Sequence, residues 1–347
     1  MKAAPVYERE RKRKWARCIR VYSCLFVAIA FLSGCSRYAD FTLPAPESSG
    51  PRGPFTWSAM AEPVISLAGA GVANKGISDV LNPSVVRFHG EYLNFYSEYD
   101  GRTWHTALAR SADGVKWEKR GRVLSPGGWE GTEMAANGSA MAVGDEILYW
   151  YEAGDPFRIA LARSKDGVSW TKLGAPVLEQ GPLGSFDEVA VADPDVIQTG
   201  GEFYMYYLGQ DRARRQRLGV ARSRDGITWT KLRANPILEL GVAGAFDESG
   251  LGEPAVWSSG GSYWMLFTGR DRGERRRIGF AKSNDGVHWS RDLTFNPIAG
   301  DQPWNHEVMC DPTVEVLSDQ IRVWFGGGDL PRPDQGLHGQ IGFGVLK

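Results

Sequence analysis

A seven-residue phrase, Ser-x-Asp-Gly-x-x-Trp, occurs four times in this chain and limits its fold more than any other feature. The copies span residues 111–117, 164–170, 223–229 and 283–289, at steps of 53, 59 and 60 residues. In each, Asp-Gly supplies a tight turn with left-handed backbone at the glycine, and the tryptophan offers a large apolar body to its surroundings. The flanks repeat as well. In the fullest copy, residues 193–241, an Asp-Pro start leads into Asp195-Val196-Ile197, then the aromatic run 203–207, then Leu218-Gly219-Val220-Ala221, then Pro236-Ile237-Leu238. Four short apolar segments separated by Gly and Asp-Gly read as an antiparallel four-stranded meander. One such sheet cannot bury both faces alone, so meanders repeating at this period are expected to stack as propeller blades.

A fifth copy is incomplete. Residues 311–316, 321–325 and 340–345 supply three strands, and the sequence then reaches Lys347 without another Asp-Gly-x-x-Trp. The missing strand has a counterpart near the other end, because Trp57 precedes Pro63-Val64-Ile65 by six residues, as Trp170 precedes Pro176-Val177-Leu178. The expected fold is all-β: a five-bladed propeller of four-stranded antiparallel blades over residues 55–347, its last blade closed by residues 57–65. A net charge of −1 gives no reason to expect a nucleic-acid partner.

The first 35 residues read as a targeting segment. A basic stretch holding Arg9, Arg11, Lys12, Arg13, Lys14, Arg17 and Arg20 precedes an apolar run over 21–32. Twelve residues would extend only about 18 Å as a helix, too short for an ordinary membrane crossing, so export is expected. The run ends Leu32-Ser33-Gly34-Cys35, which resembles the lipobox of bacterial lipoproteins. That resemblance implies cleavage before Cys35, lipidation of its thiol, and a protein held at a membrane on the periplasmic or cell-surface side; a generic signal peptide with a chance cysteine is the alternative. Residues 36–54, rich in Pro, Ser, Gly and Ala, read as a flexible tether. With Cys18 and Cys24 in the signal and Cys310 alone in the domain, there is no disulfide framework and no thiolate metal cluster.

In a propeller the innermost strand of each blade lines a central channel. Aligned by that strand, the five copies begin Asn82-Pro83, Asn137-Gly138, Asp193-Pro194, Glu253-Pro254 and Asp311-Pro312. Three carboxylates and two carboxamides would ring one mouth, where burial and like charge separate pKa values as acid–base chemistry requires. The plainer reading is that Asp or Asn before Pro merely starts a strand.

The five-blade pattern, the Asp-Pro and Glu-Pro strand starts and the recurring turns resemble the propeller glycosidase superfamily, which includes the arabinanase/β-xylosidase and invertase/levansucrase types. The resemblance covers nearly everything from Trp57 onward. It implies an acid in the first blade as base or nucleophile, a supporting aspartate in the third and a glutamate proton donor in the fourth. Asp193 and Glu253 match the last two. The first blade departs, with Asn82 where an acid is expected; Asp79, three residues earlier, is the substitute base, with Asn82, Asn137 and Asp311 as substrate ligands. The implied activity is hydrolysis of glycosidic bonds in an oligo- or polysaccharide. The alternative is a carbohydrate-binding or scaffold propeller that has lost its base.

Loops between second and third strands should open on the same face. They carry Asp211, Arg212, Arg214, Arg215 and Arg217 in blade three, Asp271, Arg272, Arg275, Arg276 and Arg277 in blade four, Trp104 and His105 in blade one, and His338 in blade five. Trp104 is expected to stack under a sugar, and His105, Arg214 and Arg275 to edge the pocket for an anionic glycan. The alternative is a pair of solvated loops whose arginines pair with Asp211, Asp271 and Glu274. Aromatic-acid pairs ahead of the inner strands (Trp129-Glu130, Phe186-Asp187, Phe246-Asp247) read as blade-joining devices. No cofactor is required by this chemistry; a structural calcium in the channel is the one metal the acids suggest, although no EF-hand pattern is present. Phosphate-loop, zinc and serine-elbow patterns are also absent.

Overall fold

A computed structural model describes residues 37–67 and 76–347. Cys35 and the signal segment lie outside these residues. The N-terminal segment contributes two short strands, β1 (Tyr38–Ala39) and β2 (Trp57–Ala59). Blade one is β3 (Asp79–Phe88), β4 (Glu91–Tyr99), β5 (Trp104–Ser111) and β6 (Glu118–Leu124). Blade two is β7 (Met134–Val143), β8 (Glu146–Ala153), β9 (Arg158–Ser164) and β10 (Thr171–Lys172). Blade three is β11 (Ala190–Thr199), β12 (Glu202–Gln210), β13 (Gln216–Ser223) and β14 (Thr230–Leu232). Blade four is β15 (Gly250–Ser259), β16 (Ser262–Arg270), β17 (Arg276–Ser283) and β18 (Ser290–Arg291). Blade five has β19 (Val308–Val316), β20 (Ile321–Gly328) and β21 (Gln340–Leu346). Its outer edge is completed by β2, with Trp57 opposite Leu346 and Ala59 opposite Gly344, and by a bridge from Ile65 to Ile341. The inner strands β3, β7, β11, β15 and β19 pack side by side around a closed circle, β19 returning to β3. Five blades are therefore joined edge to edge around one hub.

The recurring turn is both a local fold and a joint. The hydroxyl of Ser223 accepts hydrogen bonds from the backbone N–H groups of Asp225 (3.2 Å) and Gly226 (2.9 Å). Asp225 Oδ1 accepts those of Ile227 (2.8 Å) and Thr228 (2.7 Å). This satisfies the turn from within its own sequence. The neighbouring blade then reaches in. Trp150 Nε1, on β8, donates to the Gly226 carbonyl at 2.8 Å, and its ring meets Trp229 edge-on. Gly226 has φ +71°, and a Cβ there would stand 2.9 Å from the Trp150 ring, so a side chain would be both strained and crowded. The same joint recurs as Tyr206 to Gly286 (2.8 Å) and Trp324 to Gly114 (2.7 Å). Blade five has no such turn, and Phe55, just ahead of β2, packs edge-on against Trp264 and Phe280 of blade four instead.

The aromatic-acid pairs anchor the linkers between blades. Glu130 receives Tyr151 and Lys172, Asp187 receives Tyr207 (3.0 Å) and Lys231, and Asp247 receives Arg291 (2.7 Å). All three acids are buried and point away from the channel, as expected of structural residues.

Residues 37–54 correct the expectation of a free tether. Tyr38 and Ala39 pair in parallel with Lys231 and Leu232 at the outer edge of blade three. Leu43 is buried against Gly286, with its N–H on the Asp285 carbonyl, and Glu47 N–H donates to Ser258 Oγ at 2.6 Å. The segment is a strap across blades three and four, and the apolar contacts of Phe41, Leu43 and Phe55 are what hold it there. Leu43→Ala should therefore destabilise the domain by about 2–5 kcal/mol in calorimetric unfolding, the range for a large-to-small core change; a free tether would give no change.

Candidate active site at the hub

Each inner strand is interrupted at one place. The pairing register slips between Leu81 and Ser84, Ala136 and Gly138, Ala192 and Asp195, Gly252 and Ala255, and Cys310 and Thr313. The residue in each bulge, Asn82, Asn137, Asp193, Glu253 or Asp311, has φ between +47° and +51°. Left-handed backbone is strained for a residue with a side chain, costing of order 1–3 kcal/mol, and persists only where the surroundings fix it. Here it turns all five side chains toward the axis.

Hydrogen bonds run from blade to blade around this ring. Asn137 Nδ2 donates to Asp193 Oδ1. Asp193 Oδ2 accepts from the Glu253 backbone N–H (3.2 Å), Glu253 Oε2 from that of Asp311 (3.1 Å), and Asp311 Oδ2 from that of Asn82 (3.1 Å). In blades three, four and five the side chain thus satisfies the strained backbone of the next blade, while the Asn137 N–H is taken by Ser97 Oγ at 2.9 Å. Asp193 and Glu253 are neighbours, as the repeat alignment requires.

The ring forms the floor of a cavity of about 700 Å³ that opens among the second-to-third-strand loops. Asn82, Asn137, Asp193, Glu253, Asp311, Trp104 and Arg214 all line it. Three expected residues do not. Asp79 is fully buried, and its carboxylate accepts the backbone N–H groups of Gly336 (2.6 Å), Leu337 (2.9 Å) and Gly339 (2.9 Å). It pins the blade-five loop and is not a base in the pocket. His105 alternates with Trp104 along β5, so it faces the other side of the sheet and sits between Asp100 Oδ2 (3.1 Å) and Ser125 Oγ (2.8 Å). Arg275 ends its loop in an ion pair with Glu307 at 2.7 Å, outside the cavity. His338, likewise off the cavity, contacts Asp329. Trp104 reaches the wall but is only 6% exposed and packs on Tyr99, so it offers an edge rather than an open stacking face.

Two wall residues, Glu152 and Arg270, were not foreseen. Glu152 lies on β8 directly opposite Ala136, the residue before the bulge, and receives Asn137 Nδ2 at 3.0 Å. The equivalent positions in blades one, three, four and five are Ser97, Leu208, Thr268 and Gly326. The available signal was an acid ending the apolar run Tyr149-Trp150-Tyr151. Arg270 and Arg276 line the cavity from β16 and β17.

The hub retains protons. Burial first, and then the charge of Glu253, push the Asp193 carboxyl up to about 7. Burial and Asp193 raise Glu152 well above the usual carboxylate range, and burial and Glu253 do the same to Asp311. Below the ring, Asp195 faces a narrow channel of about 40 Å³; part of its surface is accessible, but protein encloses it, and burial pushes it up to about 7. The calcium expected in the channel does not suit these donors. Among the described residues the closest grouping is Glu253, Cys310 and Asp311, with ligand atoms within 4.8 Å of one another. Its thiol is held protonated by burial, whereas calcium takes six to eight oxygens.

The sequence profile of the glycosyl hydrolases family 32 N-terminal domain matches residues 82–233 and 160–309. The chain belongs to this family. Two overlapping matches reflect repeated blades. The uncharacterized protein Rv1502 of Mycobacterium tuberculosis (strain ATCC 25618 / H37Rv) is 27% identical to this family 32 chain over 239 residues, covering 61% of this chain and 75% of that one. Among solved structures, BT0996 in its RGII complex superposes with TM-score 0.67 at 18% identity, over 88% of this chain and 92% of BT0996. The β-1,2-mannobiose phosphorylase from Listeria innocua gives TM-score 0.67 at 14% identity, over 84% and 96%. The Bombyx mori β-fructofuranosidase BmSUC1 gives 0.61 at 19%, over 82% of this chain and 62% of its own length. These likenesses establish a propeller glycosidase fold.

For Asp195, a carboxyl whose folded pKa lies above its unfolded value, stability is fully present below the unfolded pKa and is lost as pH rises through about 7. Asp195→Asn keeps an acceptor for the Val256 N–H, which lies 2.8 Å from Oδ2. The variant's melting advantage over the parent should widen by several degrees between pH 5 and pH 8, as differential scanning calorimetry at the two pH values can check.

Proposed function

We propose that the hub cavity binds a carbohydrate and cleaves a glycosidic bond, with Glu253 as the proton donor to the leaving oxygen. The observation that carries this reading is the hydrogen-bonded chain Asn137–Asp193–Glu253–Asp311–Asn82, which brings a glutamate and two proton-retaining aspartates to the floor of one concave site. Asp193 accepts the backbone N–H of Glu253 and raises the cost of ionising Glu152. Asn82 supplies no proton acceptor, and Asp79 is committed to the blade-five loop. Glu152 is assigned to activate the attacking group: it reaches the cavity from blade two, and burial with the nearby Asp193 makes it a stronger base once ionised.

Glu253→Gln and Glu152→Gln should each lower kcat on a responsive aryl glycoside by at least about 10²-fold with KM little changed, as loss of a group acting in the transition state requires. Asp79→Asn should lower thermal stability and leave the ratio of kcat to KM near that of the parent. The competing reading, a carbohydrate-binding propeller without turnover, draws on the carboxamides Asn82 and Asn137. It would be supported if all three variants bound oligosaccharide like the parent and no preparation turned over.

The protein is also proposed to be exported and lipidated at Cys35. The Arg37 carbonyl accepts the Lys231 N–H at 2.8 Å, so the chain is bound to blade three two residues after the lipid site, a reach of at most about 7 Å. The propeller would lie against the bilayer with the outer edge of blade three toward it. In lipidated protein on vesicles, a fluorophore at Arg233 should be strongly quenched by headgroup-attached quenchers and one at Arg120, on the outer strand of blade one, should not. Equal quenching at both positions would contradict this orientation.

A further inference from the structure

Among the blades whose second and third strands begin as paired residues, blade four alone places two cations directly opposite each other at the cavity wall. Arg270 faces Arg276 across the strand pair. The equivalent pairs are Tyr99 and Trp104, Ala153 and Arg158, and Gln210 and Gln216. Like charges directly opposite destabilise a sheet unless something neutral or negative is set between them. The protein supplies only part of that. Arg270 donates Nη2 to Gln216 Oε1 at 2.7 Å and its Nη1 pairs with Glu274 Oε2 at 3.3 Å, but its buried Nε makes no hydrogen bond. Arg276 is buried and donates only Nη2, to the carbonyls of Arg332 and Pro333.

A third guanidinium stands at the same rim. Arg214 occupies in blade three the place Glu274 holds in blade four, each with left-handed backbone, φ +61° and +63°. Its backbone N–H caps the Asp211 carbonyl, and its side chain makes no hydrogen bond or ion pair among the described residues. The other arginines of these loops are committed: Arg212 to Glu188, Arg215 and Arg217 to Asp211, Arg272 to Glu248, Arg275 to Glu307. Most of the acids at the cavity are engaged, although Glu133 and Asp334 also line it and Asp334 acts on Arg276 through its charge. Asp211 is spent on Arg215 and Arg217, while Asp193, Glu253 and Asp311 hold backbone N–H groups at the floor.

We infer that Arg270, Arg276 and Arg214 form an oxyanion subsite on the blade three–four side of the cavity, opposite Glu152. Its ligand is a phosphate, sulfate or carboxylate, the groups whose oxygens match a guanidinium fork. The ligand is either a free inorganic anion held beside the sugar or an acidic substituent on the sugar itself. This deepens the carbohydrate reading of the same cavity.

The test is isothermal titration of full-length protein in detergent with inorganic phosphate, and separately with glucuronic acid and a sulfated monosaccharide. At least one should bind, and Arg214→Ser and Arg270→Gln should each weaken it by about tenfold or more, the loss of one charge-assisted contact. Arg215→Ser and Arg275→Ser should leave binding within twofold. Phosphate binding without competition by the sugars identifies a free ion, and binding of an acidic sugar without competition by phosphate identifies a substituent. Arg214 is exposed, so its variant folds even if Arg270→Gln does not. No binding of any probe, or binding indifferent to Arg214→Ser, overturns the inference. Turnover surviving Glu253→Gln would remove the proton-donor assignment while leaving the subsite standing.

Discussion

Everything at the hub depends on left-handed backbone at five strand starts. An uninterrupted inner strand would send alternate side chains up and down its own sheet and none along the axis. One bulge per blade re-aims a single residue, and the conformation is strained for any side chain. What holds it is not local. The carboxylate of one blade takes the backbone N–H of the next, so the conformation in blade four depends on Asp193 in blade three, and that in blade five on Glu253. The acids at the floor are therefore structural and chemical groups at once, and replacing one perturbs its neighbour's backbone as well as the charge.

Burial adds a second coupling. A carboxylate ring closed off from water keeps protons that exposed acids would lose, which gives the cavity floor its acid–base capacity and also costs stability as pH rises through neutrality. The opposite wall has the contrary imbalance. Arg214 there has no side-chain partner among the described residues, so one cavity presents proton-bearing acids on one side and a guanidinium open to an anion on the other. A neutral apolar ligand would satisfy neither side, whereas a sugar with an associated anion would satisfy both.

How much of this could be read from the sequence follows from the range of the interactions. The turn at residues 223–229 is closed by its own Ser and Asp, so it was visible in the repeat, and with it the blades, the ring residues and the closing strand at Trp57. Asp79 was misplaced because its partners lie some 257 residues further along, and nothing nearby announces them. Glu152 was missed because it belongs to the second strand and faces the hub only through pairing with Ala136. Arg275 and His105 were each one residue from the position that matters, where strand alternation exchanges one face for the other. The strap failed for a compositional reason: a Pro- and Ser-rich stretch looks free, but a single Leu43 and a few backbone bonds are enough to seat it.

The closing strand has a consequence for how the protein is made. Four blades are continuous in sequence and can assemble one after another as the chain is made. The fifth joins Trp57 to Leu346, from opposite ends of the propeller. No N-terminal fragment contains both halves, so a chain interrupted before residue 340 leaves an open sheet edge on each side of the gap. Completion of the circle thus requires both ends of the propeller to be present in one chain.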